Sequence, residues 1–268
     1  MLKLIASDLD GTLLLPDRTL PDEIFPLIEK LYKQGILFCP ASGRQYESLR
    51  LLFAPVADKV VFLAENGAYV VYKDRCIFEE SLPKETLPEI YAAIATQKTA
   101  HPLLCCQQCA YGFYKDDYPP FIEECTKYYP HFKQIHSLKE IPESESVCKI
   151  AVFDELGSAE HSGKELPALL PRWRVIVSGA VWSDVSLPDT NKGKAMKFTQ
   201  NKLGISPDVC MAFGDYMNDL ELLEACTHSF VTENGFPLLK QKIGRTVPSN
   251  AERGVIQKIK EVLGEMYV

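Results

Sequence analysis

The fold is decided by residues 2–14, LKLIASDLDGTLL. Leu2–Ser7 is a short apolar run typical of a buried strand, and the polar sequence Asp8–Thr12 interrupts it. Residues 21–32 then show helical periodicity, and Gly35 follows them at the place of a C-cap. The sequence therefore predicts a strand, a polar turn and a helix in succession.

The same alternation recurs further along the chain. Additional strands are predicted at 36–39, 59–63, 209–213 and 229–232, and additional helices at 192–203, 219–226 and 252–264. Strands that alternate with helices favour a parallel sheet with helices on both faces. We therefore expect an α/β fold with a doubly wound parallel-sheet core.

The middle of the chain has a different pattern. Residues 69–72 and 75–78 flank Lys73-Asp74 and predict a hairpin, and two-sided strands and separate helices follow it. This pattern is typical of an inserted α+β domain. The sequence predicts a catalytic core at 1–80 and 186–268, with a cap domain at 81–185.

Net charge and the lengths of the apolar runs indicate which partners the protein lacks. The 268 residues carry a formal net charge of -7 and contain no apolar run near the length of a membrane span. An acidic chain gains nothing from the counterion release that drives nucleic-acid binding. With no secretory signal pattern in residues 2–8, we expect a cytoplasmic protein without nucleic-acid or membrane partners, either a monomer or a homodimer.

The cysteines give a second compositional signal. In a chain of this size without an export signal, the nine cysteines are expected to be free thiols. The close group Cys105, Cys106 and Cys109 lies near His101 but lacks a second pair at zinc-site spacing. Buried strand positions are the simpler interpretation of that group.

Polar clusters follow the predicted strands of the core. They comprise Asp8 and Asp10, then Ser42-Gly43-Arg44, then Lys192, then Asp215 to Asp219. Ligands of open α/β sheets bind outside the carboxyl ends of the strands, so these clusters are expected on one rim. Neighbouring carboxylates repel unless a cation joins them, and hard oxygen ligands suit Mg²⁺. Alternation along an extended strand end predicts that Asp8 and Asp10 point to the same side.

These clusters, in this order, resemble the motifs of the haloacid dehalogenase-like phosphatases. The matching residues are Asp8-Leu9-Asp10-Gly11-Thr12-Leu13-Leu14, Ser42-Gly43-Arg44, Asn191-Lys192-Gly193 and Gly214-Asp215-Tyr216-Met217-Asn218-Asp219. The resemblance is strongest to the Cof-type branch (subfamily IIB), which carries a large α/β cap between its second and third motifs. It implies a magnesium-dependent phosphatase acting on a small phosphorylated metabolite, with sugar phosphates as the expected class.

The resemblance also implies a role for each motif residue. Asp8 would be the nucleophile that forms an aspartyl phosphate, and Asp10 would be the general acid and base. The phosphate would be held by Leu9, Ser42, Gly43, Lys192 and Asn218.

The metal site and the outer contacts follow from the same resemblance. The metal would be bound by the carboxylates of Asp8 and Asp215 and by the backbone carbonyl of Asp10, while Asp219 would orient Lys192 or a metal-bound water. Arg44 and Asn66 are further candidate substrate contacts, although a surface arginine and an Asn-Gly turn would explain them equally well.

The sequence alone leaves two other functions open. A phosphomutase would use the same aspartyl phosphate, and an inactive phosphate-binding module would keep the same scaffold. The presence of both Asp8 and Asp10 favours an active phosphatase, since binding alone does not need the acid/base residue. In the cap, Tyr111, Tyr114 and Trp182 are candidates for substrate selection, with packing as the alternative.

Overall fold

The computed structural model describes residues 1–113 and 118–264 and contains two compact units. Unit 1 comprises Met1–Ser42, Leu49–Phe78 and Asn191–Val268, and unit 2 comprises Gly43–Ser48 and Glu79–Thr190.

The secondary structure alternates in unit 1 and is strand-rich in unit 2. The strands are β1 Leu4–Ser7, β2 Leu37–Pro40, β3 Val61–Ala64, β4 Tyr69–Tyr72, β5 Arg75–Glu79, β6 Ala100–Cys106, β7 Ala110–Gly112, β8 Phe132–Gln134, β9 Val147–Asp154, β10 Arg174–Val177, β11 Trp182–Ser186, β12 Cys210–Gly214, β13 His228–Thr232 and β14 Thr246–Val247. The helices are α1 Ile24–Lys33, α2 Tyr46–Leu52, α3 Leu87–Ala95, α4 Pro119–Tyr128, α5 Ser162–Leu169, α6 Lys192–Leu203, α7 Leu220–Glu224, α8 Pro237–Ile243 and α9 Gly254–Val262.

Unit 1 is built on a parallel five-stranded sheet in the order β14-β13-β12-β1-β2. Strand β1 lies inside the sheet between β12 and β2, and all of its residues are buried. A strand covered on both faces needs a continuous apolar sequence, which is the pattern that residues 2–7 show. The predicted α/β class with a parallel sheet is confirmed.

A second, smaller sheet of unit 1 has the order β3-β4-β5. Strand β3 pairs antiparallel with β4, and the parallel bridges Phe38–Val60 and Ala41–Leu63 link it to the β2 region. The predicted strand at 59–63 is therefore the first strand of the three-stranded sheet. Its other edge is bridged to the β2 region of the parallel sheet.

Helix α1 shows why these segments become helical. Ile24, Leu27, Ile28 and Leu31 are spaced i, i+3, i+4 and i+7, and all of them are buried. This spacing puts one apolar stripe against the core and leaves the charged residues outside.

Unit 2 contains a six-stranded sheet in the order β10-β11-β9-β6-β7-β8, antiparallel except for the β7–β8 pair. Successive residues of β9 belong to different apolar clusters: Ile150 and Val152 pack with α3 and α5, whereas Ala151 and Phe153 pack with α4. Side chains alternate across a strand, so both faces of this sheet are covered by helices. The inserted α+β domain expected from the sequence is present.

Across the described part of the chain, no helix combines the length and the apolar character needed to span a bilayer.

Candidate active site

A tight turn follows β1 and carries the Asp-x-Asp motif. Residues Leu9–Leu13 form this turn, and the Leu14 N–H closes it on the carbonyl oxygen of Leu9 at 2.8 Å. Gly11 has a φ of 84°, and a Cβ on it would lie 2.4 Å from Asp215 Oδ2. Only glycine satisfies both conditions, so the turn can press against the Asp215 carboxylate.

The two aspartates of this motif lie in different environments. Asp8 is 7% exposed, whereas Asp10 is exposed to solvent. The alternation argument assumed one extended strand through both aspartates, whereas β1 ends at Ser7 and Asp10 lies in the turn Leu9–Leu13. That the two side chains point to the same side stays a prediction.

Lys192 reaches the Asp8 carboxylate from the start of α6. Asn191 is the N-cap of this helix, and its side chain accepts a hydrogen bond from the Lys194 N–H at 2.7 Å. The Lys192 side chain is fully buried, and its Nζ donates to Asp8 Oδ1 at 2.5 Å and to Asp219 Oδ1 at 2.6 Å. The helix cap thus fixes the backbone that aims the ammonium at Asp8.

Asp219 uses both carboxylate oxygens for positioning. Its Oδ1 accepts from Lys192, and its Oδ2 accepts the backbone N–H groups of Asp215 at 3.0 Å and Tyr216 at 3.2 Å. It therefore holds the ammonium and the loop that carries Asp215 in one arrangement. These contacts suit the orienting role predicted for Asp219.

The cluster holds more carboxylates than ammonium groups, and this shows in the pKa values of its members. Burial raises the pKa of Asp8 well above its usual range, and the neighbouring Asp219 and Asp215 carboxylates act in the same direction against Lys192. Burial, followed by the charge of Asp219, raises the pKa of Asp215 to about 6. For Lys192, burial lowers the pKa, but Asp219 and Asp8 outweigh it and keep the ammonium charged. One ammonium thus faces an excess of carboxylates, which only a proton or a cation can offset.

The donor set of this cluster fits a divalent cation. One carboxylate oxygen from each of Asp8, Asp215 and Asp219 lies within 4.8 Å of the others. The Asp215 carboxylate is held in place, since Thr12 Oγ1 donates to its Oδ1 at 2.9 Å. Carboxylate oxygens with room for water suit Mg²⁺ better than a softer metal.

The cysteine group does not form a comparable site. Within residues 1–113 and 118–264, the Asp8 cluster is the one group of potential metal ligands found. All nine cysteines are free thiols, as predicted, and the His101 ring stacks against Tyr118 and Phe121.

The phosphate-binding candidates of unit 1 are linked through Asn66. Ser42 is buried just after β2, and its carbonyl oxygen accepts the Asn66 N–H at 3.0 Å. Asn66 Oδ1 in turn accepts from Asn218 Nδ2 at 3.4 Å. Leu9 is buried in the turn after Asp8.

The other two residues of the second motif have their contacts in unit 2. The carbonyl oxygen of Gly43 accepts a hydrogen bond from Lys149 Nζ at 2.8 Å, and the Arg44 guanidinium lies 6.0 Å from the centre of the Tyr128 ring. Lys149 also forms a buried ion pair with Asp184 at 3.0 Å.

Three further residues with contacts at these positions, Lys149, Asp184 and Thr12, were not predicted from the sequence. A signal for Lys149 was available, because it is the one charged residue within the apolar run Val147–Phe153. Thr12 lies inside the first motif, but nothing in the spacing shows that its hydroxyl bonds to a residue 203 positions away.

The cap candidates for substrate selection are packed side chains where the structure describes them. Tyr111 is 4% exposed and Trp182 is 7% exposed, and each belongs to an apolar cluster of unit 2. Tyr114 lies outside the described residues.

Comparison with known proteins gives a consistent family. A model of the haloacid dehalogenase-like hydrolases matches residues 5–259. The chain is 29% identical over 265 residues to the 5-amino-6-(5-phospho-D-ribitylamino)uracil phosphatase YbjI of Escherichia coli K12, covering 98% of this chain and 96% of that protein. It is 27% identical to an HMP-PP phosphatase of Cronobacter sakazakii, covering 89% and 87%. The crystal structure of SMU.1108c from Streptococcus mutans matches with a TM-score of 0.87 at 24% identity, covering 98% of this chain and all of that one.

Proposed function

Since the chain belongs to the haloacid dehalogenase-like hydrolases, we propose that this phosphatase hydrolyses small phosphate monoesters through a phosphorylated Asp8. The observation that supports this most directly is the buried Asp8 carboxylate, 2.5 Å from the fully buried Lys192 ammonium and beside two further aspartates. A buried excess of carboxylates is unfavourable for folding, so a function is its best explanation.

The reaction has two steps, each with a balanced proton transfer. An Asp8 oxygen attacks phosphorus, the bond to the leaving alcohol breaks, and Asp10 gives the alcohol its proton. Water then attacks the phosphorus of the aspartyl phosphate and gives a proton to Asp10, which releases inorganic phosphate and restores the Asp8 carboxylate. The exposure of Asp10 suits this role, because it must exchange protons with a leaving group and with water.

Several groups would stabilise the transferred phosphoryl group. The Lys192 ammonium would offset negative charge on Asp8 and on the phosphoryl oxygens together. The Ser42 hydroxyl, the N–H groups of Leu9 and Gly43, and the Asn218 amide would donate hydrogen bonds to the same oxygens.

Mg²⁺ is the metal that this site would hold. The carboxylates of Asp8 and Asp215 and the backbone carbonyl of Asp10 would be its protein ligands, and Asp219 would keep Asp215 in place through the Asp215 N–H. When bound, the cation would offset the carboxylate excess and neutralise charge on the phosphate.

We propose phosphate esters of sugars or sugar alcohols as the substrate class. The relative from Escherichia coli is named for a substrate with a phosphoribityl group, which is a sugar alcohol carrying a phosphate ester. Arg44 and Asn66 are our candidates for contacts with the substrate beyond its reacting phosphate.

The test is phosphate release from a panel of phosphorylated metabolites in the presence of Mg²⁺, with Asp8→Asn as the critical variant. Asp8→Asn should abolish turnover, and mass spectrometry should detect phosphate on Asp8 in the parent enzyme. Asp22→Asn, at an exposed site, is the matched control and should keep full activity.

Turnover of Asp8→Asn within tenfold of the parent enzyme would rule out the covalent mechanism. A need for a bisphosphate activator would indicate a phosphomutase, and no turnover of any monoester would indicate a phosphate-binding module.

A further inference from the structure

A buried turn of unusual backbone conformation joins β3 to β4. Glu65, Asn66 and Gly67 have successive φ values of 52°, 54° and 99°. The left-handed region costs an ordinary L residue roughly 1–2 kcal/mol. All three residues are buried, and such strain persists only where surrounding contacts hold it in place. We refer to Glu65–Gly67 as the left-handed turn.

The left-handed turn fixes the backbone of Ser42. The Asn66 N–H donates to the carbonyl oxygen of Ser42 at 3.0 Å, while the Ser42 N–H donates to the carbonyl oxygen of Leu63 at 2.9 Å. The backbone donor and acceptor of Ser42 are therefore both engaged by the end of β3 and the turn after it.

The same turn contacts the third and fourth motifs. A Cβ on Gly67 would lie 2.3 Å from the Asn191 carbonyl oxygen and 2.9 Å from the Lys192 nitrogen, so the start of α6 rests directly on the glycine. The Asn66 side chain accepts the long 3.4 Å hydrogen bond from Asn218. One three-residue turn thus touches the backbone or side chains that carry Ser42, Lys192 and Asn218.

We propose that the left-handed turn is a positioning element that sets Ser42, Lys192 and Asn218 in register for phosphoryl transfer. The inference rests on the proposed function for the roles of those three residues. None of the contacts above requires the turn to touch the reacting atoms. The turn acts on catalysis indirectly, by fixing the positions of those three residues. Misplacement of a catalytic group by about 1 Å can slow a reaction by about 10²-fold.

Gly67→Ala is the main test, with Gly204→Ala as its matched control. Gly204 ends the same helix α6 with a φ of 65°, and no heavy atom lies within 4 Å of a Cβ placed on it. Both variants force alanine into the left-handed region, but only Gly67→Ala displaces the Asn191 carbonyl. We expect kcat to fall about 10²-fold in Gly67→Ala and to stay near the parent value in Gly204→Ala. Binding of inorganic phosphate, measured by calorimetry, should weaken in Gly67→Ala alone.

A second pair of variants covers the case in which Gly67→Ala does not fold. Asn66→Gly keeps a residue that adopts the left-handed region readily and keeps the N–H bonded to Ser42, whereas Asn66→Ala strains the same backbone. Both lack the amide, so a higher kcat and tighter phosphate binding in Asn66→Gly than in Asn66→Ala would show that the backbone conformation positions Ser42.

The outcomes separate this inference from the function on which it rests. If Asp8→Asn keeps its turnover, the proposed function fails whatever the turn variants do. If Asp8→Asn is inactive while folded Gly67→Ala and both Asn66 variants keep parental kcat and phosphate affinity, the positioning role is overturned. A loss of activity that only follows the folded fraction, equally in Gly67→Ala and Gly204→Ala, overturns it as well.

Discussion

Each unit of the molecule buries a lysine that is paired with aspartate, but the two lysines differ in what surrounds them. In unit 1, Lys192 donates to Asp8 and Asp219, with Asp215 in the same cluster. In unit 2, Lys149 donates to Asp184 at 3.0 Å and to the carbonyl oxygen of Gly43 at 2.8 Å. Their side chains are 0% and 4% exposed, so burial does not distinguish them.

Charge balance does distinguish them. The Lys149–Asp184 pair sets one ammonium against one carboxylate, whereas the Lys192 cluster has more carboxylates than ammonium groups. A buried ion pair is by itself weak evidence for stability or function. Burial is the first cause of the raised pKa values of Asp8 and Asp215, and the Asp219 carboxylate raises both of them further. This excess, rather than the presence of a buried lysine, marks the unit 1 cluster as a chemical site.

After the complete loss of turnover expected for Asp8→Asn, the largest effect should come from Asp10, which lies outside the buried group of carboxylates. Asp10 is exposed, so Asp10→Asn should leave stability unchanged to within about 0.5 kcal/mol. It should slow the reaction of a sugar phosphate by about 10²–10⁴-fold, the usual contribution of a general acid or base. The aryloxide of an aryl phosphate leaves without needing a proton, so in Asp10→Asn the phosphoryl group should still transfer to Asp8 from this substrate, and the reaction should then stall.

Single-turnover measurements with an aryl and a sugar phosphate test this prediction, with the parent enzyme as reference. Equal slowing of the first step for the two leaving groups would show that another residue is the general acid.

The two lysines can be compared directly by the same substitution. Lys192→Met should lower kcat by about 10²–10³-fold, the usual loss for one group that stabilises transition-state charge. Lys149→Met should lower kcat by less than about tenfold, or 1.4 kcal/mol. It should instead lower the free energy of unfolding by about 3–5 kcal/mol, because it truncates one member of a buried ion pair. Steady-state kinetics and urea unfolding of both variants are the measurements, and similar losses of kcat in the two would remove the distinction.

The sequence predicted the unit 1 cluster well because its residues follow strand ends. Parallel strands bring their carboxyl ends to one edge, so Asp8 and Asp215 could be placed together without knowledge of side-chain contacts. Helix α6 was predicted at its observed bounds, since Asn191 and Gly204 provide both of its caps.

The contacts of Lys149 could not be predicted in this way. Lys149 and Asp184 meet because β9 and β11 pair antiparallel, and a shift of one residue in that register would place them on opposite faces. The assignment of Gly43–Ser48 to unit 2 has the same origin, since hydrogen bonds from Lys149 to Gly43 and from Gln45 to Cys106 join segments far apart in sequence. The left-handed turn was visible only as an Asn-Gly pair.

A cation should stabilise unit 1 through the charge excess. Mg²⁺ at about 100 times its dissociation constant should add about 2.7 kcal/mol to the free energy of unfolding. Asp215→Asn should remove most of this gain, because it removes a carboxylate of the cluster. Lys149→Met should keep the gain, because Lys149 is not a member of that cluster. Urea unfolding with and without Mg²⁺ measures both. An equal gain in Asp215→Asn and the parent protein would place the metal elsewhere.

The smallest effect is a pH dependence of stability that arises from Asp215. In the presence of a chelator, burial raises the pKa of Asp215 to about 6 in the folded protein, against an ordinary value of 3.8 in the unfolded chain. The unfolded state therefore loses its proton first as pH rises, and the ionised folded carboxylate is left in an unfavourable site. Stability linked to Asp215 is present below about pH 4 and is lost by about pH 6.

Asp215→Asn keeps an Oδ1 that can accept from Thr12 but cannot ionise. It should raise the free energy of unfolding above pH 6 by on the order of 2 kcal/mol, allowing for partial solvent exposure, and by little at pH 4. Urea midpoints at pH 4 and 7.5 for the parent protein, Asp215→Asn and the surface control Asp22→Asn test this. A gain of equal size at both pH values would mean that Asp215→Asn acts through packing, and the charge excess would then not explain why this cluster differs from the Lys149–Asp184 pair.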